Sequence, residues 1–295
     1  MFATQITRRE ALAGLAATTA LPLAGPSAAA FAQTRPANEN EAAALLDSIA
    51  ENLLWQAPES ATSLGIDKDR RAPLRSRLSE RSGIGQQRLA QTLRADLARV
   101  NAIDTAGLSH STRTSVEVVR SAYSTALEGF QLPYGDVAIG GWRNTPYVVI
   151  QNVGAYLDVP RFLDSDHQIT NSADAVAYLA RLASYPQQLD NELGRVILGR
   201  HKGLIPPAFL LDKALVQLRQ SAKAAREGGP LVESIERRTR EKNIPGDWAE
   251  RARTIARNEV APALESQIAE LTLQRSKATS QPGMWARPNG DDYYR

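Results

Sequence analysis

Along most of the chain, apolar residues recur at helical rather than strand spacing. After a polar, Pro-bearing leader at residues 33–40, the segment EAAALLDSIAENLLWQ sets Ala42, Leu45, Leu46, Ile49, Leu53 and Leu54 on one face. Glu41, Asp47, Glu51 and Asn52 fall opposite, and Pro58 closes the helix. A second helical stretch, from about Pro73 to Val100 and interrupted by Gly83 and Gly85, carries the stripe Leu89, Leu93, Leu97, Val100. Ser109 to Phe130 opens on Ser/Thr caps and closes at Gly129. Asn171-Ser172-Ala173-Asp174 caps a long helix with a kink expected at Pro186. Pro206-Pro207 opens the next, Glu227-Gly228-Gly229-Pro230 links to a shorter one, and a last helix runs from Trp248 to about Arg275 with a kink near Pro262.

Residues 131–160 break this pattern. They carry Pro, Gly and the β-branched run Tyr147-Val148-Val149-Ile150, and predict a long structured loop containing a short strand or hairpin. The segment is too aromatic and apolar for disorder. No period of a repeat protein recurs. The pattern therefore predicts an all-α protein, an irregular multi-helix array with one long structured loop.

The first residues follow a different logic. MFATQITRREALAGLAATTALPLAGPSAAAFA has a basic start, a short apolar run and small residues around Ala30 and Ala32, the layout of an export signal cleaved before Gln33. The run from Ala11 to Leu23 is too short for a stable membrane span. Thr7-Arg8-Arg9 resembles a twin-arginine signal, although Glu10-Ala11-Leu12 leaves the general secretory route open. The expected organisation is a signal over 1–32, a helical domain over 33–282 and, over 283–295, the start of a further C-terminal region. The last segment reads so because Asn289-Gly290-Asp291-Asp292 looks like a helix cap followed at once by Tyr293-Tyr294; a frayed tail is the alternative reading. A periplasmic or secreted location follows, with the export machinery as a partner.

Composition narrows the chemistry. With 35 Lys+Arg against 32 Asp+Glu the whole chain is nearly neutral, and without Arg8, Arg9 and Glu10 the balance becomes 33 to 31, which offers no case for nucleic acid. The absence of Cys among 295 residues removes disulfides, thiolate metal sites and cysteine nucleophiles. None of the three histidines, His110, His167 and His201, begins an HExxH, and there is no G-x-S-x-G elbow, P-loop or G-x-G-x-x-G. Asp164-Ser165-Asp166-His167 gathers metal-type donors but reads better as a solvated turn between helices. No catalytic or metal-binding residue is assigned. The candidate cleft-lining residues are Trp142, Arg143, Tyr147, Gln151 and Asn152, whose aromatic and amide groups are of the kind that line ligand clefts; a small peptide-like ligand suits them, and the alternative for this segment is a loop that simply plugs the helical core.

Five sequence features in order resemble one family. They are Pro58-Glu59-Ser60-Ala61-Thr62-Ser63-Leu64-Gly65, Gly141-Trp142 with Pro146-Tyr147-Val148-Val149, Asp174-Ala175 with Tyr178-Leu179-Ala180-Arg181-Leu182, Gly199-Arg200-His201-Lys202-Gly203 leading to Pro206-Pro207, and Met284 to Gly290 with Tyr293-Tyr294. Together they resemble the N-terminal half of the bacterial domain of unknown function 885 (DUF885) family. The resemblance implies a largely helical, often exported protein of about twice this length, metallopeptidase-like, with zinc held by an HExxH-containing C-terminal half. No position here matches that motif, so no cofactor is expected in this chain and no hydrolysis by it alone; the expected partner is the catalytic C-terminal half. Two alternatives stand beside this reading: a self-contained periplasmic helical binding or scaffold protein, or a subunit complementing a separately encoded catalytic half.

Overall fold

The computed structural model describes residues 37–139 and 144–293. The export signal, with Arg8, Arg9, Ala30 and Ala32, therefore lies outside the described residues, as do Trp142 and Arg143. Among the described residues there are eleven α-helices and no strand, an all-α array as the apolar spacing predicts. No described helix is long and apolar enough to cross a membrane.

The chain folds as two compact units. One contains the described residues up to Leu53, Ala90–Gln131 and 137–139; the other contains Leu54–Leu89, Leu132–Asp136 and the described residues from Asn144 onward. Helix α1 (Ala37–Gln56) begins inside what reads as a polar leader. The reason is Glu39, which is buried and works as a cap in trans. Its carboxylate accepts from the Ser109 amide at 2.8 Å and from the Ser109 and Thr112 hydroxyls at 2.9 and 2.5 Å. A carboxylate at that helix N-terminus suits both the free amides and the macrodipole. Ser109 itself caps α4 (His110–Gly129) through the Thr112 amide, as its sequence predicts. Ile49, Leu93, Val116 and Tyr123 are buried on α1, α3 (Gly83–Asn101) and α4.

In the second unit Pro58 starts a helix as well as ending one, occupying the first turn of α2 (Pro58–Ser63). The stretch expected as one interrupted helix from Pro73 is instead a 3-10 segment (Asp69–Ser76), an extended link, and only then α3. Gly85 is what lets α3 begin there, because a Cβ at that position would lie 2.8 Å from the Glu80 carbonyl oxygen. Part of the presumed loop is also helical: α5 (Ala155–Ser165) was hidden by Pro160.

A shared apolar core joins α5, α6 (Ser172–His201), α7 (Ala208–Glu227), α8 (Pro230–Glu241), α9 (Trp248–Ile255) and α10 (Ala261–Lys277). α6 passes Pro186 without ending. The break expected near Pro262 is a π turn, Ala256–Val260, between α9 and α10. Proline offers no amide to the carbonyl four residues back and its ring crowds that carbonyl, which a local widening of the helix relieves.

Candidate functional site

One face of α6 organises the second unit. Arg181, Tyr185, Gln188, Glu192, Arg195, Gly199 and Lys202 follow one another at alternating spacings of four and three, ending on the residue that caps the helix. That period stacks them along a single stripe. Most of this stripe is polar, yet Arg181 and Glu192 are among the least exposed residues in the protein. Such groups are tolerated in an interior only when every charge and donor is matched.

Arg181 meets that condition. Its Nε donates to the Arg77 carbonyl at 2.8 Å, and Nη2 donates to the Thr62 hydroxyl at 2.7 Å and the Leu74 carbonyl at 3.0 Å. Nη1 lies 2.7 Å from Nδ1 of His167. Phe162 stacks under the guanidinium at 4.7 Å. Thr62 in turn donates to Asp67 at 2.8 Å, and Arg75 grips Asp67 and Asp174 together. Asp174 also accepts from the Thr170 amide and hydroxyl at 2.8 and 2.6 Å. Burial would raise the Asp174 carboxyl, but these bonds and Arg75 hold it below the usual carboxylate range.

The same bonds fix the protonation of His167. A guanidinium can only donate, so Nδ1 accepts, and Nε2, 3.0 Å from the Asp174 carbonyl, carries the hydrogen. The ring is neutral. Burial, joined by Arg181, Arg75 and Arg238, pushes its pKa down to about 4, against the pull of the Asp174 carbonyl. Burial likewise pushes Arg181 down to about 10. Arg238 binds the His167 carbonyl and, at 2.7 Å, the Leu163 carbonyl, closing the C-terminal end of α5. Asp164, Ser165 and Asp166 are exposed, as expected of a solvated turn, with Asp164 accepting from Ser234 and Asp166 from Ser63; His167, expected in the same turn, is instead wholly enclosed. Among the described residues no three His, Asp or Glu side chains are grouped to hold a metal ion.

Further along the stripe, α6 holds the irregular segment. Both Glu192 oxygens accept the Ala155 amide at 2.9 Å, and Arg81 donates to Glu192 at 2.8 Å and to Asp158 at 3.2 Å. Burial lifts the Glu192 carboxyl above its ordinary range while Arg81 and Ala155 pull it back. This carboxylate caps α5 in trans, and Gly154, at φ +134°, makes the approach. Tyr156 donates toward the Ile150 carbonyl at 2.9 Å and lies 2.7 Å from the Gln217 amide. Arg195 binds the Gly135 carbonyl and Asp136 at 2.7 and 2.6 Å, and Lys202 binds the Pro133 carbonyl at 2.7 Å. Among the described residues of the loop there are two isolated antiparallel bridges, Asp136 with Thr145 and Ile150 with Val153, and no strand.

Residues 281–293 cross over this loop. Arg287 donates to the Tyr147 hydroxyl at 3.0 Å and to the Gln281 carbonyl at 2.6 Å; Tyr134 donates to the Pro288 carbonyl at 2.5 Å and stacks on Tyr293. Tyr147, Ile150, Leu204 and Met284 form a small apolar cluster beneath. Of the cleft-lining candidates, Tyr147 is buried, Gln151 is half-buried with its Oε1 enclosed and without a protein partner, and Asn152 is exposed. The Arg181–His167 cluster is not legible in the sequence, because Thr62, Leu74 and Arg77, which complete it around Arg181, lie more than 100 residues before that residue in the chain. A signal existed all the same: Thr62, Asp174, Tyr178 and Arg181 all lie in the segments that carry the family resemblance.

The fold and this buried network define a helical, loop-bearing protein whose longest helix is organised by a buried polar stripe. A family model described as a bacterial protein of unknown function (DUF885) matches residues 58–295, and the chain belongs to that family. Among solved structures it is similar to "the putative lipoprotein from Colwellia psychrerythraea", at 20% identity and a TM-score of 0.77, over 88% of this chain and 45% of that one. At that identity the likeness is one of fold, and the chain spans less than half of that neighbour's length. No curated protein matches the chain.

Proposed function

We propose that this chain is the exported N-terminal helical portion of a DUF885-type, metallopeptidase-like hydrolase, and that the zinc and the hydrolytic residues belong to a C-terminal part of the family fold. The observation that carries the reading is the unequal coverage: nearly all of this chain superposes on less than half of its structural neighbour. The polar stripe of α6 supports it as well. Arg181, Arg195 and Lys202 donate to linker and loop carbonyls and Glu192 accepts the first amide of α5, which is what a scaffold for a neighbouring catalytic part requires. Export rests on the layout around Arg8 and Arg9 and accords with the lipoprotein description of the neighbour.

The test is a purified protein of residues 33–295, assayed for bound zinc and for hydrolysis of a peptide library. The proposal expects neither; stoichiometric zinc together with turnover overturns it. The coding sequence after Arg295 supplies a positive arm: a reading frame, in any phase, that encodes HExxH supports the proposal, and unrelated sequence counts against it.

A further inference from the structure

Where α6 ends and α7 begins, the second unit exposes large apolar side chains. Trp285 is 66% exposed, Leu198 on the last turn of α6 is 54% exposed, and Phe209 on the first turn of α7 is 44% exposed. The three elements are tied together at this end. The Ala208 amide, next to Phe209, donates to the Thr279 carbonyl at 2.9 Å. A Cβ on Gly203 would meet Pro288 at 3.3 Å, and Met284 packs with Leu204 and Tyr147 in the small cluster below.

The exposure of Trp285 is built in. Its 3-10 turn (Met284–Ala286) is fixed below by buried Met284 and by Gly290, where a Cβ would collide with the Met284 carbonyl. Gly283 lets the indole lie along the backbone, since a Cβ there would sit 2.5 Å from the ring Cδ1. Leu198, Phe209 and Trp285 each adjoin in sequence a residue packed at this one end (Gly199 against Leu204, Leu210 and Met284), and an exposed tryptophan on a fixed turn among such apolar side chains is the usual composition of an interface centre rather than of free surface.

We infer that this face, centred on Trp285 and flanked by Leu198 and Phe209, is the docking surface for the part of the DUF885 fold that lies beyond this chain's match, whether carried on the same polypeptide or on another. The inference rests on the functional reading above. The occupant is argued from length: the structural neighbour carries more than half of its chain outside the superposed region. The surface also sits on the segment that clamps the loop, through Arg287 on Tyr147 and Tyr134 on Pro288. Docking here would therefore bear directly on the loop that carries the cleft-lining candidates.

The experiment places a photo-crosslinking amino acid at Trp285 in the full chain, expressed in its native cells, with a second variant carrying it at exposed Glu233 on α8 as control. The crosslinked peptide is identified by mass spectrometry. The inference expects the 285 probe, and not the 233 probe, to capture sequence from the remaining part of the DUF885 fold. Capture of that sequence only from 233 overturns the surface but leaves the functional reading standing. Capture from neither position, or of a second copy of this chain from 285, overturns the surface, and the first of these outcomes also counts against the functional reading.

Discussion

Arg181 and His167 hold each other in a single protonation arrangement, with guanidinium Nη1 2.7 Å from imidazole Nδ1 in a site closed to water. Protonating the ring would remove the acceptor that Arg181 uses and add a cation among Arg181, Arg75 and Arg238. The unfolded chain has no such restriction. Between the ordinary histidine value of 6.5 and about 4 it binds a proton that the folded chain refuses. Stability is therefore full above about pH 6.5 and declines as the pH falls toward 4, by about 3 kcal/mol from this group. Urea denaturation at stepped pH measures it. His167→Gln should be less stable at pH 7 but show a shallower loss over the same interval; an undiminished slope in the variant would assign the effect elsewhere.

Removing Arg181 should cost more than removing any surface ion pair. Arg181→Met strands the Thr62 hydroxyl's neighbour network, the His167 ring and the carbonyls of Leu74 and Arg77, and about 3–5 kcal/mol of destabilisation is expected. Arg181→Lys should rescue little, because an ammonium cannot reproduce a fork that reaches four acceptors. By contrast Arg275→Ala, which breaks a solvent-screened surface pair with Asp212, should cost far less than the loss of Arg181. Equal losses for the two sites, measured by chemical denaturation, would contradict the assignment of the network as the organising element.

The junction between loop and α5 should fail locally. Gly154→Ala forces a side chain into φ +134° and against the Tyr156 ring at 3.0 Å, and about 1–3 kcal/mol of strain is expected. Glu192→Gln keeps the shape but weakens the cap on Ala155 and the hold on Arg81. In hydrogen exchange both variants should speed the Ile150 and Val153 amides while leaving those of α10 unchanged. A uniform change across the unit would mean that the loop is not held separately by Glu192.

The helices were legible because apolar spacing and capping residues are local: Ser109, Asn171 and the Pro207 start of α7 all act where their sequence says. What escaped was non-local. Glu39 and Glu192 cap helices that begin 70 and 37 residues away, so no window around α4 or α5 reveals them. Gly83 and Gly85 read as interruptions because the contact that makes Gly85 necessary, with Glu80, depends on how the preceding link bends. His167 looked solvated because its neighbours Asp164, Ser165 and Asp166 are polar; only the return of α6 and α8 encloses it. The apolar run of the loop is not paired as a strand because its residues are divided between two cores: Tyr147 and Ile150 pack with Met284, and Val148 and Val149 pack into the main helical core.

The role of the buried Arg181–His167 cluster as architecture is tested most directly at the ring nitrogens of His167. With only three histidines in the chain, nitrogen-15 correlation spectra assign each ring once His167→Gln is compared. At pH 7 His167 should appear as the neutral tautomer protonated at Nε2, and adding zinc in excess should leave both of its nitrogens unmoved. An imidazolium at pH 7, or a zinc-induced shift at Nδ1 or Nε2, would contradict it.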